Sequence, residues 1–189
     1  MRFKDIEDIN SYNTILIIID LQPKILSATQ TPQEVLANTL LLVRAANIFK
    51  IPIIITEQYP KGLGETSTVL LSHLTESSKR VEKIEFNCFG NEEFVSNLHS
   101  YTSSRPYLII CGVETHICLF QTALGAMKRQ FKPIIISDAT SSRKHLDYES
   151  ALKAYHSLDI TILSTEMLIY LLLKKAGTAE FKALLPYLK

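Results

Sequence analysis

The chain has 189 residues, a formal net charge of +1, and 47% hydrophobic against 21% charged residues. That length supports one domain with a real core, and the balanced charge excludes the strong positive field of a nucleic-acid binder. No apolar run reaches the ~18–20 residues that span a bilayer, and the opening stretch MRFKDIEDINSYN is polar and mixed in charge, unlike a secretory signal.

Taken in chain order, short apolar β-branched runs alternate with helical stretches. Residues 14–20 (TILIIID) form a continuous apolar run that ends in an acid. Thr31-Pro32-Gln33-Glu34 reads as a capping box with Pro at the first helical position, and leucines and alanines then recur to about Phe49. Residues 51–57 (IPIIITE) repeat the strand pattern, and RVEKIEF at 80–86 is a candidate third strand. Residues 92–101 read as a helix, 107–112 (YLIICG) as a strand, and 115–130 as one helix. Residues 133–138 (PIIISD) and 160–163 (ITIL) are further strands, separated by a helix at 146–157. Helices at 166–175 and 180–185 close the chain, and MLIYLLL within the first of these reads as a buried helix. Continuous apolar strands suit burial on both faces. The alternation predicts one α/β domain over residues 1–189, a three-layer αβα sandwich around a six-stranded, mostly parallel, Rossmann-like sheet. Such sheets bind ligands beyond the carboxyl ends of their strands.

The polar residues of interest fall at those ends. Asp20 follows the first apolar run, where partial desolvation suits a carboxylate base; an acid there also suits a plain loop cap before Gln22-Pro23. Cys118 follows the 107–112 strand and the turn Val113-Glu114-Thr115-His116, which puts it near a helix N-terminus. Free N–H groups and the helix dipole there favour a thiolate and can hold an oxyanion. The plain alternative is a small buried hydrophobe, and Cys88 and Cys111 are assigned to it. Lys83 in RVEKIEF is placed to keep a thiolate and a carboxylate charged, or is an ordinary surface lysine. His116 stands two residues from Cys118, a spacing that does not face on a helix, so it reads as a capping, pocket-lining or interface residue. His73, His99, His145 and His156 read as surface residues. Glu57-Gln58-Tyr59 ends the second strand, and Lys61-Gly62-Leu63-Gly64 is no dinucleotide fingerprint. Ser137-Asp138-Ala139-Thr140 ends another strand and reads as a turn. Three cysteines, an odd number with no CxxC or HxxxH pair, argue against disulfides or a zinc site and point to a reducing cytoplasm.

Asp20 and Gln22 (D-x-Q), then Lys83 before Phe86 and Phe89, then G-V-E-T-H-x-C at 112–118, together resemble the isochorismatase-like cysteine hydrolases. LFQTALGAMKR and IIISDATSSR look like the same family, and the resemblance runs from about Thr14 to Leu173. It implies a catalytic triad of Asp20, Lys83 and Cys118. It also implies a cis peptide between Val113 and Glu114, and an oxyanion hole from the backbone N–H groups of Glu114 and Cys118. Nicotinamidases of this superfamily carry a D-x-H metal site where Glu57-Gln58-Tyr59 stands here, so no metal and no cofactor is expected. Vinyl ether hydrolases of the family lack the cysteine that this chain retains, which favours acyl chemistry. E-Q-Y-P-K-G-L-G-x-T is most similar to the small isochorismatase-domain hydrolases.

The expected activity is hydrolysis of a small amide or related acyl C–N substrate through a thioester. Gln22, Glu57, Gln58, Tyr59, Phe86 and Phe89 are the candidate substrate-binding residues. Three alternatives stay open: a metal-free vinyl ether hydrolase that uses Asp20 alone, a non-catalytic binding or assembly module on the same scaffold, and a redox thiol at Cys118 without an evident resolving cysteine. The expected partners are a small molecule and further copies of the chain, as a dimer or larger, with neither nucleic acid nor membrane. The leucine- and tyrosine-rich C-terminal helices carry more apolar surface than one small domain needs to bury.

Overall fold

The apolar runs become six strands: β1 (Thr14–Ile19), β2 (Ile53–Gln58), β3 (Lys79–Lys83), β4 (Tyr107–Val113), β5 (Lys132–Ser141) and β6 (Thr161–Leu163). The computed structural model describes residues 6–101 and 105–188; residues 1–5 of the polar N-terminal stretch lie outside them. The strand order is β3-β2-β1-β4-β5-β6, and every pairing is parallel rather than mostly so. Both faces are covered, as the uninterrupted β-branched runs require. Leu16 and Ile18 of β1 enter one apolar cluster, while Ile15, Ile17 and Ile19 enter the other. The first cluster packs under α1 (Pro32–Phe49) and α5 (Thr165–Leu173). The second packs under α2 (Glu92–His99), α3 (Phe120–Lys128) and α4 (His145–Ser157). The result is a three-layer αβα sandwich.

Several boundaries differ from the expectation for local reasons. β2 starts at Ile53, because the Ile51 amide donates to Ala46 O (2.8 Å) to close α1, and Pro52 has no N–H to give. The helix expected at 115–130 is two pieces. Residues Thr115–Leu119 form a π-type turn, with the Leu119 amide donating to Glu114 O, before α3 begins. The capping box does not form: Thr31 caps no amide and instead donates to Ser141 Oγ (3.2 Å). Ser137–Thr140 is not a turn but the second half of β5, which runs three residues past Asp138.

The C-terminal helices use more of their apolar surface internally than expected. α6 (Ala179–Leu184) packs Leu184 and Phe181 against Ala45, Ile169 and Leu173 in a third cluster. Leu168 and Leu172 point into the main core, while Met167 and Tyr170 remain exposed, so MLIYLLL is half-buried. No helix among the described residues is long and apolar enough to cross a membrane.

Candidate active site

The chain winds outward from β1 through β2 to β3, then returns to lay β4 on the other side of β1. The ends of β1 and β4 therefore flank the point where the winding reverses, the usual ligand crevice of such sheets. Gly112 makes their close approach possible. It pairs with Ile19 at a φ of +112°, and a Cβ there would lie 2.0 Å from the Ile19 carbonyl oxygen. Asp20 follows in a left-handed conformation (φ 55°) that aspartate tolerates, with its amide donating to Thr56 O.

Three of the expected residues converge here. Lys83 Nζ, at the end of β3, donates to Asp20 Oδ2 at 2.7 Å, and both side chains are buried. Lys83 donates also to Gln58 Oε1 (2.6 Å). Thr56 donates its hydroxyl to the other carboxylate oxygen, Asp20 Oδ1, at 2.7 Å. Cys118, 7% exposed, lies close enough to the same carboxylate for its thiol to feel that charge. Burial alone would lower the Lys83 pKa, but the charge of Asp20, the neighbouring sulfurs and the Asp20 hydrogen bond together raise it, so lysine stays an ammonium. Burial pushes the Cys118 thiol well above the ordinary range, and the Asp20 charge adds to this against the opposing pull of Lys83. The helix-terminus argument for a resting thiolate is corrected accordingly: next to a buried carboxylate the neutral thiol wins.

The turn that carries Cys118 is tied down on its far side. The Val113–Glu114 peptide is cis. The Glu114 side chain accepts from the Arg143 amide (2.8 Å) and pairs with Arg143 Nε (3.0 Å). Thr115 and Thr140 share a hydroxyl hydrogen bond, and Tyr155 donates to Thr115 O at 2.6 Å. His116 holds Ser142 Oγ with one ring nitrogen (2.9 Å) and faces Asp147 with the other (3.8 Å), a cross-brace to α4. Among the other histidines, His99, His145 and His156 are exposed, while His73 is half-buried against Arg44 and Asn47.

The expected pocket residues separate into two groups. Tyr59 and Phe86 are about half exposed, and Tyr59 lines a cavity of about 330 Å³ with Pro60, Lys61, Lys83, Ile84 and Glu85. Phe89 is instead a core residue, 4% exposed, edge-on to Phe94 and beneath Arg129. Gln22 is fully buried and spends its amide on the backbone of Gln58 and Gly64. Glu57 is buried and holds the Thr66 amide (2.7 Å) with Arg80 alongside. Gln58 is committed to Lys83 and to Ile84 O. These three amide and carboxylate side chains are frame rather than lining, because their own fold saturates them. Among the described residues no group of three His, Cys, Asp or Glu side chains is arranged to hold a metal. A second cavity, about 250 Å³, lies along the second half of β5, lined by Glu34, Asp138, Thr140, Ser141, His145 and Tyr148.

The sequence reading did not single out Thr56 or Arg143, while Cys88 is the buried core residue it expected. Thr56 is one polar position in an apolar strand, and Arg143 ends the IIISDATSSR stretch, where nothing in the local pattern marks it as a site residue. Cys88 is buried close enough to Lys83 and Asp20 to feel both charges, and burial pushes its thiol up to about 11.

Residues 14–167 match the Isochorismatase domain family model. Isochorismatase family protein 1A of Dictyostelium discoideum is 31% identical over 185 residues, 97% of this chain and 89% of that protein. Among solved structures, the MAR1 ribonuclease from Caenorhabditis elegans superposes with a TM-score of 0.88 at 31% identity, covering 95% of this chain and 91% of that one. The YcaC gene product of Escherichia coli, an octameric hydrolase of unknown specificity, gives a TM-score of 0.87 at 21% identity over 95% of this chain and 89% of its own, and shares the fold. With a family match across most of the sheet and helices, and full-length relatives of the same name, the chain belongs to the isochorismatase family of hydrolases.

Proposed function

We propose that the protein is a cysteine-dependent hydrolase of a small amide or related acyl C–N substrate, working through a thioester without a cofactor. The observation that carries this reading is the Asp20 carboxylate. Lys83 and Thr56 hold its two oxygens at 2.7 Å each while the Cys118 thiol faces it. A fixed, charged base beside a neutral thiol is the resting state of a nucleophile that loses its proton only as it attacks.

In this mechanism Asp20 takes the thiol proton as sulfur bonds to the carbonyl carbon. The amides of Glu114 and Cys118 hold the resulting oxyanion. Asp20 passes the proton to the leaving nitrogen, the C–N bond breaks and the amine or ammonia departs. Water then attacks the thioester and gives one proton to Asp20; as the C–S bond breaks to release the acid, Asp20 returns that proton to the sulfur, restoring thiol and carboxylate. Lys83, kept protonated, holds Asp20 in place through its hydrogen bond to Oδ2. Tyr59 and Ile84, which line the cavity beside Lys83, suit a small, mostly apolar acyl group. The free thiols suit a reducing cytoplasm. The exposed Met167, Tyr170 and Tyr187 offer surface for self-association of the kind named for the YcaC octamer, which sedimentation would measure.

The test is mass spectrometry of the wild type and Cys118→Ala against a panel of small amides, with isochorismate and RNA as further arms. The expected result is an acyl adduct on Cys118 and amide turnover that the alanine variant loses by at least about a thousandfold. Retained amide turnover by Cys118→Ala would remove the nucleophile. Cleavage of isochorismate by Cys118→Ala but not by Asp20→Asn would replace this reading with vinyl ether hydrolysis. Cysteine-independent RNA cleavage without amide turnover would replace it with nuclease activity.

A further inference from the structure

The segment Thr140-Ser141-Ser142-Arg143, at the end of β5 and just beyond it, contacts the nucleophile turn one residue after another. Thr140 meets Thr115, Ser142 meets His116, and Arg143 meets Glu114. The last contact differs in kind. Glu114 places a carboxylate, only 7% exposed, on the residue whose own amide is assigned to the oxyanion. A bare carboxylate there would oppose the negative charge that develops on the substrate oxygen. Arg143 answers it twice. Its backbone amide donates to Oε2 at 2.8 Å, and its Nε lies 3.0 Å from Oε1 and 3.1 Å from Oε2. The loop itself is pinned by Gln30, whose side chain donates to Arg143 O and whose amide donates to Ser142 O.

We infer that Arg143 is a positioning residue for acyl transfer, which neutralises and fixes the Glu114 carboxylate so that the neighbouring amides can hold an oxyanion. This rests on the cysteine-hydrolase reading above. The geometry also isolates the charge: Arg143→Ala keeps the backbone hydrogen bond to Glu114 and removes only the guanidinium. At 59% side-chain exposure, Arg143 can be truncated without opening the core.

Two probes separate this role from simple structural support. p-Nitrophenyl acetate acetylates a thiol through a tetrahedral oxyanion, whereas iodoacetamide forms its S–C bond by displacing iodide and makes none. Both reactions need the same Cys118 proton to leave, so the ratio of their rates at Cys118, read by peptide mass spectrometry, reports help given to the oxyanion. The ratio is expected to fall about tenfold in Arg143→Ala and to recover in part in Arg143→Lys. In the double variant Arg143→Ala with Glu114→Gln it should return to within about threefold of wild type, since no carboxylate is left to neutralise. An unchanged ratio in Arg143→Ala, or a double variant no better than the single, overturns the assignment while leaving the hydrolase reading in place. A wild type that iodoacetamide labels at Cys118 but the ester never acetylates overturns the hydrolase reading, and this inference falls with it.

Discussion

Two cysteines on either side of the end of β4 show how little separates a core residue from a candidate nucleophile. Cys111 lies within the strand, fully buried, its sulfur 3.8 Å from Ile17 O. Burial pushes its thiol up to about 12, against a small opposing pull from Thr39. Cys118 lies just past the strand, nearly as buried, and its thiol is raised further still. Low acidity therefore does not distinguish them. What differs is the neighbour. Cys111 lies within the apolar core beside Ile17 O and feels the charge of Asp138, while Cys118 neighbours a carboxylate that is itself bound by a buried ammonium. In the proposed mechanism, reactivity at this corner comes from a base within reach, not from an acidic thiol.

The largest expected effect breaks the Cys118 side of the contrast. Lys83→Met leaves Asp20 buried without its cation, and urea denaturation should show a loss of about 3–5 kcal/mol. The double variant with Asp20→Asn should recover part of it, because two neutral groups leave no stranded charge. If the single variant is as stable as wild type, the pair is not the buried unit described here.

The next effect is shared by both regions. The unfolded chain releases thiol protons from its ordinary value of 9.0, while Cys88 and Cys111 hold theirs to about 11 and about 12. Above about pH 9 the unfolded state thus binds fewer protons, and stability falls as pH rises, by about 1.4 kcal/mol per pH unit for each buried thiol. Lys83 acts in the same direction. Its raised folded value makes its contribution complete below the unfolded pKa and lost as pH climbs through the folded one. Urea midpoints measured from pH 7 to pH 11 should decline, and Cys111→Val should remove one thiol's share of the slope. The smallest effect sharpens the comparison: at neutral pH, Cys111→Val should cost less than about 1.5 kcal/mol and leave acylation of Cys118 unchanged. A collapse of acylation in that variant would mean that the strand cysteine also serves the site.

Much of this arrangement was legible along the chain, and the illegible part has one cause. The strand runs, Asp20 after an apolar run, and the turn before Cys118 are contiguous patterns, readable because side-chain periodicity and turn chemistry are local. Phe89 looked like a pocket residue because it follows Lys83 closely, yet the short helical turn Cys88–Gly90 folds it into the second core cluster. Glu57 and Gln58 looked available because they end a strand. Contacts with Thr66, Arg80 and Lys83, from other stretches of chain, consume them. The break of the 115–130 helix into a π-type turn and α3 left no trace in its composition; it accompanies the anchoring of Glu114 to Arg143 beyond β5, and of Thr115 to Thr140 of β5 and Tyr155 of α4.

The sequence by itself determined the layered α/β class, the strand-end positions of the polar residues, and the family resemblance, because each is written in adjacent residues. Only the tertiary structure decided which strand ends meet, that Cys118 rests as a thiol, and that Arg143 closes on Glu114. Those outcomes depend on strand order and on burial of charge, and both arise only when residues far apart in the chain exclude water together.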